Sequence, residues 1–358
     1  MTSGHGDDRH LFPDCHIIAD FSSNVPAGEE HHELWQHLTK KQQLIGRYPE
    51  PEPFTLEGEL ATLYRIEPEE VLVTNGATEA IFLVAHAFQY GCSTILQPTF
   101  AEYLRAATLY RHHVQQVTSL AELQEALRQI KHPKQINTPC GTAHTEEHTQ
   151  SVVWLCNPNN PTGITLPHEE LLQSIDAHPD VFFVVDQSYD AFTPKAVLSK
   201  QEATLRPNLI LLFSLTKKYA LPGLRLGYLV TNKLLAQRLR TLRMPWSVNA
   251  LAIEAGRYLI PRAPHWQLQE LLTERKRVTD TLQKMAGYTL HPTDTHYFLA
   301  YTKRSTAEQL KEWLVRKKGI LIRNASNFPT LTPHHFRIAI QAPQQNDLLL
   351  SALDEYPS

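Results

Sequence analysis

The fold of this chain is decided by the stretch Phe213–Tyr228, which reads FSLTKKYALPGLRLGY. An apolar run, Leu209 to Phe213, leads into it and predicts a buried strand. The polar groups that follow the strand are two hydroxyls, a lysine and an arginine, namely Ser214, Thr216, Lys217 and Arg225. Hydroxyls, an arginine and close-approach glycines suit a phosphate site, and a lysine beside them can lose its proton and attack a carbonyl. A strand, a turn and a basic surface loop would also fit this segment alone, so other segments have to decide.

A carboxylate and a phenol follow a second buried run. Asp186 comes directly after Val181–Val185, and Tyr189 follows it three positions later. Open α/β sheets bind ligands at the carboxyl ends of their strands, so Asp186 is a candidate ligand-binding group. The alternative for a single Asp after a strand is a helix cap or a turn residue.

Two further strand ends carry turns that suit a ligand. The run Val152–Cys156 leads into NPNNPTG at residues 157–163, whose prolines and glycine predict a rigid loop with outward-facing amides. The run Val71–Val73 passes through TNGAT at residues 74–78 into an apolar helix that starts near Glu79. Such a turn exposes backbone N–H groups at a helix N-terminus, where a phosphate binds well.

In this order the motifs resemble the fold-type I pyridoxal-phosphate enzymes of the class I/II aminotransferase family, over nearly the whole chain. The resemblance implies an α/β fold with a large domain, residues 46–245, that contains a mostly parallel sheet of the seven-stranded type. It also implies a smaller α+β domain built from both chain ends, residues 1–45 and 246–358, and a long helix that starts at Ala250–Leu259. Strand and helix patterns that alternate from about residue 70 to 245 independently indicate a doubly wound sheet.

The resemblance also assigns roles in binding the cofactor, pyridoxal 5'-phosphate (PLP). Lys217 would be the Schiff-base lysine, since the Thr-Lys step and the spacing to Arg225 select it over Lys218. Asp186 would pair with the pyridine nitrogen, where a buried carboxylate keeps the proton that lets the ring accept electrons. The groups that hold the cofactor phosphate would be Gly76, Ala77, Thr78, Ser214, Thr216 and Arg225.

Other residues of the site follow from the same resemblance. Asn160 and Tyr189 would bond the 3-hydroxyl of the cofactor ring, and either Phe100 or Tyr103 would stack on its face, with the family pattern favouring Tyr103. Tyr48 matches the tyrosine that the family sends across a dimer interface to the partner's cofactor phosphate. We therefore expect a homodimer.

The segments near both ends of the chain concern the substrate. The strings HGDD at 5–8, DFSSN at 20–24 and ILIRNASNF at 320–328 resemble the L-threonine-O-3-phosphate decarboxylases of cobalamin biosynthesis. The chain departs from their usual pattern, with HGDD for HGGN, RNA for RDC, and Gln341 where a second arginine often follows. Histidinol-phosphate aminotransferases share every cofactor motif and are the alternative, so transamination stays open beside decarboxylation.

Both candidate substrates carry a phosphate, so the resemblance implies a second anion site in addition to the cofactor phosphate site. Arg337, on a predicted C-terminal strand, would grip a substrate α-carboxylate through two parallel hydrogen bonds. The remaining candidates for binding the small-molecule substrate are His5, Asn24, Asn160, Arg323 and Asn327.

Composition excludes several other classes of protein. The 358 residues are 42% hydrophobic and 20% charged, an ordinary globular balance. A net charge of −3 without a basic tract gives no support to nucleic-acid binding, and no apolar run is long enough to span a bilayer. The four cysteines and 19 histidines lack metal-site spacing, so we expect no metal. Free thiols and a polar amino-terminal segment unlike a signal peptide predict a cytoplasmic protein.

Two expectations complete the sequence-based description. Residues 131–150 lack periodicity and are predicted to form an exposed loop. The alternative function of another class is a catalytically dead binding or regulatory homologue. Such a protein would tolerate the loss of Lys217, Asp186 or Arg225, and all three are present.

Overall fold

The computed structural model describes residues 6–26, 31–130 and 150–357. The strands are β1 (Ala19–Asp20), β2 (Val71–Thr74), β3 (Cys92–Leu96), β4 (His113–Val117), β5 (Ser151–Cys156), β6 (Val181–Asp186), β7 (Leu209–Ser214), β8 (Gly227–Val230), β9 (Tyr288–Leu290), β10 (Tyr297–Thr302), β11 (Ile320–Leu321), β12 (Arg323–Asn324) and β13 (His335–Ala339). The helices are α1 (His32–Thr39), α2 (Phe54–Tyr64), α3 (Gly76–Ala87), α4 (Ala101–Leu109), α5 (Leu120–Ile130), α6 (His168–Ala177), α7 (Lys200–Leu205), α8 (Leu215–Lys218), α9 (Lys233–Leu242), α10 (Ala250–Leu259), α11 (Leu268–Leu282), α12 (Ala307–Trp313) and α13 (Pro343–Glu355).

The central sheet has seven strands in the order β2-β8-β7-β6-β5-β3-β4. Strand β8 runs antiparallel to its neighbours β2 and β7, whereas all the other neighbours are parallel. This arrangement confirms the predicted mostly parallel α/β sheet. Parallel strands place their carboxyl ends at one edge, and β5, β6 and β7 lie next to one another at the centre of that edge.

The apolar runs become strands because both faces of the sheet are covered. In β7, Leu209, Leu211 and Phe213 pack into one core cluster, while Ile210 and Leu212 pack into the cluster on the other face. Successive side chains of a strand point to opposite faces, so a strand buried on both sides reads as a continuous apolar run. That is why these central strands were recognisable from the sequence.

A second core joins residues near the two ends of the chain. Strand β1 pairs in parallel with β11, and a separate antiparallel sheet has the order β12-β13-β10-β9. Phe21 packs with Phe298 and Phe336 in this core. In contrast, Leu34 of α1 and Ala252 of α10 pack in the core cluster on one face of the central sheet. The domain boundaries at residues 46 and 246 stay a prediction.

Three expectations about elements need comment. The prediction of one long helix after Ala250 was wrong, because α10 ends at Leu259 and a new helix, α11, begins only at Leu268. Pro261 and Pro264 lie between the two helices, and proline cannot continue helical hydrogen bonding. The loop expected at residues 131–150 lies, apart from residue 150, outside the described residues. In the described ranges no helix is long and apolar enough to cross a membrane.

Candidate active site

A cavity of about 430 Å³ opens at the carboxyl edge of the central sheet. It brings together most of the residues that the sequence suggested, and these are Ala77, Thr78, Phe100, Tyr103, Asn160, Asp186, Tyr189, Ser214, Thr216, Lys217, Arg225, Arg323, Asn327 and Arg337. They come from strands of both the central sheet and the smaller antiparallel sheet, and from the turns between them. The cavity therefore lies where the two sheets approach each other.

One end of the cavity combines a helix N-terminus with an arginine. Helix α3 begins at Gly76, whose φ of +77° is open to glycine, and a Cβ there would lie 2.7 Å from Nη2 of Arg225. A Cβ on Gly227 would lie 2.5 Å from the backbone nitrogen of Ala77. Gly76 thus lets the Arg225 guanidinium lie against the positive end of the helix, and Gly227 lets β8 pack closely against the start of α3. Backbone N–H groups and a guanidinium together are a donor set suited to a phosphate.

Two hydroxyls extend this anion site. Ser214, the last residue of β7, and Thr216 are both buried, and their hydroxyl oxygens lie 2.8 Å apart. Each hydroxyl can rotate to donate a hydrogen bond toward the cavity. The predicted set of phosphate-binding groups is therefore assembled in one place, although its role in binding stays a prediction.

Asp186 lies at the end of β6 with both carboxylate oxygens occupied. The hydroxyl of Tyr103 donates to Oδ2 at 2.7 Å, and the hydroxyl and backbone N–H of Ser188 donate to Oδ1 at 2.6 and 2.9 Å. Burial raises the pKa of Asp186, and the hydrogen bonds from Ser188 and Tyr103 act in the opposite direction. The sequence did not single out Ser188, although it lies within the Asp-x-x-Tyr motif.

Lys217 lies at the base of the cavity in α8. Its amine donates to the backbone carbonyl of Ser23 at 2.7 Å. Burial, and then the charges of Arg337 and Arg225, lower the pKa of Lys217 to about 7. An amine with this pKa is about half neutral at pH 7, and only a neutral amine is a nucleophile or accepts a proton.

The asparagine loop differs in part from the prediction. Asn157 accepts a hydrogen bond from the backbone of Leu166, and the Asn159 amide donates to the Pro98 carbonyl at 2.9 Å. These two side chains therefore fix the loop itself instead of facing outward. Only Asn160 lines the cavity, where its Oδ1 accepts a hydrogen bond from Arg337.

Two buried arginines lie side by side at the other end of the cavity. Arg323 of β12 and Arg337 of β13 are direct cross-strand partners, and they are 5% and 4% exposed. Arg323 donates to Oδ1 of Asn327 at 2.8 Å, while Arg337 donates to Asn160 and to the backbone carbonyl of Ser22. Burial and the Arg337 charge lower the pKa of Arg323 to about 9.

The remaining predicted site residues differ in how close they lie to the cavity. Tyr189 lines the cavity, and burial raises its pKa to about 12. Asn24 is buried nearby, and neither polar atom of its side chain has a well-formed hydrogen bond in the described part of the chain. Tyr48 is 86% exposed, against Trp246, and does not reach the cavity of its own chain. His5 lies outside the described residues.

Whether Phe100 or Tyr103 stacks on the cofactor ring stays open, since both line the cavity. Sequence reasoning missed Gly6, Asp7 and Ser23, which also line it. They lie in the strings HGDD and DFSSN, which pointed to a role near the substrate without singling out these three positions. Among the residues described, no group of three or more His, Cys, Asp or Glu side chains could hold a metal ion.

The donor set fits PLP. It offers an anion site at a helix N-terminus, a buried carboxylate that can hold the ring proton, and an amine of lowered pKa. The glycine at position 76 suits this arrangement, because a Cβ there would force the Arg225 guanidinium to move and its φ of +77° is rarely adopted by other residues.

Comparisons with known proteins agree with this chemistry. Residues 16–353 match the family described as Aminotransferase class I and II. A threonine-phosphate decarboxylase from Salmonella typhimurium is 32% identical over 94% of this chain and 90% of its own length. A histidinol-phosphate aminotransferase from Caldanaerobacter subterraneus is 28% identical over 87% of this chain and 84% of its own length. The crystal structure of L-threonine-O-3-phosphate decarboxylase from Porphyromonas gingivalis superposes with a TM-score of 0.83 at 35% identity, covering 94% and 98% of the two chains.

Proposed function

The chain belongs to the aminotransferase class I and II family and is a PLP-dependent enzyme, and on this premise we propose that it decarboxylates a small phosphorylated amino acid, O-phospho-L-threonine. The comparisons support this choice, because two of the similar proteins, at 32% and 35% identity, are named for that activity. The observation that carries it is the pair of buried arginines, Arg323 and Arg337.

Two guanidinium groups directly opposite each other on neighbouring strands destabilise a sheet. Arg323 and Arg337 are buried in that arrangement as cross-strand partners that line the cavity, and an anion bound beside them would offset the repulsion between their charges. O-Phospho-L-threonine carries a carboxylate and a phosphate and can satisfy both groups. In this proposal Arg337 holds the α-carboxylate, with Asn160 orienting the guanidinium, and Arg323 with Asn327 holds the phosphate.

The residues of the cavity would hold PLP at three points. Ser214, Thr216, Arg225 and the turn at the start of α3 would bind its phosphate, Asp186 its ring nitrogen, and Lys217 its carbonyl carbon. When bound, PLP withdraws electrons from whichever bond at the substrate Cα lies perpendicular to its ring. The residues that hold the substrate therefore choose between loss of a proton and loss of carbon dioxide.

Lys217 is the group that moves protons in this mechanism. Burial, together with the charges of Arg337 and Arg225, lowers the pKa of this amine to about 7, which leaves a large neutral fraction near pH 7. As a neutral amine, Lys217 can take a proton from the substrate Cα, and as an ammonium it can give a proton to the substrate Cα. The hydrogen bond to the Ser23 carbonyl holds the Nζ atom at the base of the cavity before that happens.

Transamination of histidinol phosphate is the second candidate, because a protein of that name is 28% identical over 87% of the chain. Histidinol phosphate has no α-carboxylate. It would therefore satisfy only one of the two buried arginines and leave Arg337 without an anionic partner.

The test is a direct comparison of the two reactions. The purified enzyme with PLP is incubated with O-phospho-L-threonine while carbon dioxide is measured, and separately with histidinol phosphate and 2-oxoglutarate while glutamate is measured. Carbon dioxide release without glutamate formation supports the proposal. Glutamate formation at the higher rate contradicts it and assigns the aminotransferase activity instead. No product in either assay, from protein that binds PLP, would contradict both activities.

We also propose a homodimer in which Tyr48 reaches the partner's active site. Ile45, Tyr48, Met244 and Trp246 are all at least half exposed on one protomer, which is unusual for large apolar side chains close together. Sedimentation analysis tests this, since a monomer at micromolar concentration would contradict it. A cytoplasmic setting is proposed from the free thiols of Cys15, Cys92 and Cys156.

A further inference from the structure

A chain of buried hydrogen bonds lies on the side of the central sheet that carries Asp186. The indole N–H of Trp154 donates to the Ser93 hydroxyl at 3.0 Å, and that hydroxyl lies 2.8 Å from Nδ1 of His112. Nε2 of His112 lies 2.8 Å from the carbonyl of Ala85. Trp154 and Ser93 are at most 1% exposed and His112 is 8% exposed, so water cannot replace these partners.

The groups at the two ends of this hydrogen-bond chain fix the direction in which its members donate. The Ala85 carbonyl can only accept, so Nε2 of His112 carries a proton and donates. Burial lowers the pKa of His112, which favours the neutral ring, and Nδ1 is then an acceptor for the Ser93 hydroxyl. Each group therefore donates to the next, from Trp154 to Ser93 to His112 to Ala85, and such aligned bonds strengthen one another.

The Trp154 end of this hydrogen-bond chain lies next to the candidate active site. The Trp154 indole is stacked on the ring of Tyr103, with centroids 5.7 Å apart and an interplanar angle of 18°. Tyr103 in turn donates its hydroxyl to Oδ2 of Asp186 at 2.7 Å and lines the cavity. Rotation of the Trp154 indole would withdraw the surface that holds the Tyr103 ring in place. Asp186 would then lose one of the three donors that keep its buried carboxylate charged.

We propose that Ser93 and His112 are positioning residues that act through Trp154 and Tyr103 on the Asp186 carboxylate. Through that carboxylate they would affect how tightly the enzyme binds PLP. The proposal rests on the proposed role of Asp186 at the ring nitrogen. The simpler role for His112 is to cap the last turn of α3 through the Ala85 carbonyl, which would affect stability alone.

The experiment compares four variants by titrating the apoenzyme with PLP and following the absorbance of the bound cofactor. They are Ser93→Ala, Tyr103→Phe, the double variant, and the control Thr231→Val. The Thr231 hydroxyl is fully buried and donates to the Leu209 carbonyl at 2.7 Å, at the opposite end of β7 from the cavity. The control therefore removes a buried hydrogen bond from a hydroxyl, as Ser93→Ala does, but leaves the hydrogen-bond chain from Trp154 to Ala85 intact.

Ser93→Ala should weaken PLP binding by about threefold to tenfold, which corresponds to one ordinary hydrogen bond. Tyr103→Phe should weaken it at least as much. In the double variant the Ser93 change should add less than about twofold, because its effect passes through the Tyr103 hydroxyl. Thr231→Val should lower the melting temperature but leave PLP binding within about twofold of wild type.

The proposal is overturned if Ser93→Ala affects PLP binding no more than Thr231→Val does. It is also overturned if Ser93→Ala keeps its full effect when Tyr103 is already Phe. Should Ser93→Ala not fold, His112→Phe takes its place in the same cycle and is judged by the same criteria. PLP binding needs no substrate, so the outcome is independent of whether O-phospho-L-threonine is the substrate.

Discussion

Replacing Arg323 by Gln should impair binding of a phosphorylated substrate and at the same time stabilise the substrate-free protein. The variant keeps one hydrogen-bond donor for Asn327 but removes the charge that faces Arg337 across the strand pair. A residue that only maintains the fold would not show these two opposite effects. Together the two effects test whether the arginine pair binds an anion.

The loss of binding can be estimated from the contact that disappears. A hydrogen bond between a charged donor and a charged acceptor contributes about 1.5–3 kcal/mol. Since about 1.4 kcal/mol is a factor of ten, KM for O-phospho-L-threonine should rise roughly 10- to 100-fold. L-Threonine lacks the phosphate, so its KM should change by less than about twofold if Arg323 holds that group.

The gain in stability follows from the pKa of Arg323, which is about 9 in the folded protein against an ordinary value of 12.5. A base whose pKa falls on folding lowers the free energy of unfolding at every pH at which the base is protonated in both the folded and the unfolded protein. For Arg323 this range lies below about pH 9. That cost is relieved as the pH rises from about 9 toward 12.5. At pH 7 it is fully present, so Arg323→Gln should raise the melting temperature by about 2 °C or more.

The assays are steady-state kinetics with both substrates and thermal unfolding at pH 7, with and without inorganic phosphate. Arg316→Gln is the matched control, because Arg316 is 57% exposed and forms an ion pair with Glu312 on the same helical segment. It should change neither KM nor the melting temperature. An Arg323→Gln enzyme that handles O-phospho-L-threonine with unchanged KM, or that melts below wild type without phosphate, would refute the reasoning.

Three further outcomes are expected. Asp186→Asn should fold and bind PLP but turn over at least about a hundredfold more slowly, because an amide cannot hold the ring proton; near-normal turnover in the kinetic assay would contradict its assigned place. Gly76→Ala should weaken PLP binding at least about tenfold, since its Cβ would meet Arg225 at 2.7 Å, whereas Gly58→Ala, with nothing within 4 Å, should leave binding unchanged. Because the pKa of Lys217 is lowered to about 7, the rate of PLP capture by the apoenzyme should rise with pH up to about that value and then level off; a midpoint near the ordinary value of 10.5 in stopped-flow absorbance would show that the lowering is absent.

Much of the site could be predicted because it lies at the ends of buried strands. The runs before Asn157, Asp186 and Ser214 are apolar throughout, so the strands and the polar residues that follow them stand out in the sequence. Once the strands are parallel and adjacent, their ends must meet at one edge of the sheet. That geometric rule, and not any local signal, is what brings Asp186 and Lys217 into one cavity.

The rest depends on contacts between distant parts of the chain. The pairing of Arg323 with Arg337 is set by the register of β12, a strand of only two residues, and no local pattern encodes that register. Ser93 and His112 meet because β3 and β4 lie side by side, and each residue alone looks ordinary. The break between α10 and α11 was different, since Pro261 and Pro264 already announced it in the sequence.

The hydrogen bond from Arg337 to the carbonyl of Ser22 has a consequence for how the protein is made. The two residues are 315 positions apart, so a ribosome that adds roughly 5–20 residues per second incorporates Ser22 roughly 15–60 seconds before Arg337. The Lys217 amine meets Ser23 from the same early segment, 194 positions away. All seven strands of the central sheet are therefore synthesised before Arg323 and Arg337, which line the other end of the cavity. A nascent chain that ends after β8 would contain the predicted phosphate-binding residues, but neither the two buried arginines nor α10, which covers one face of the central sheet.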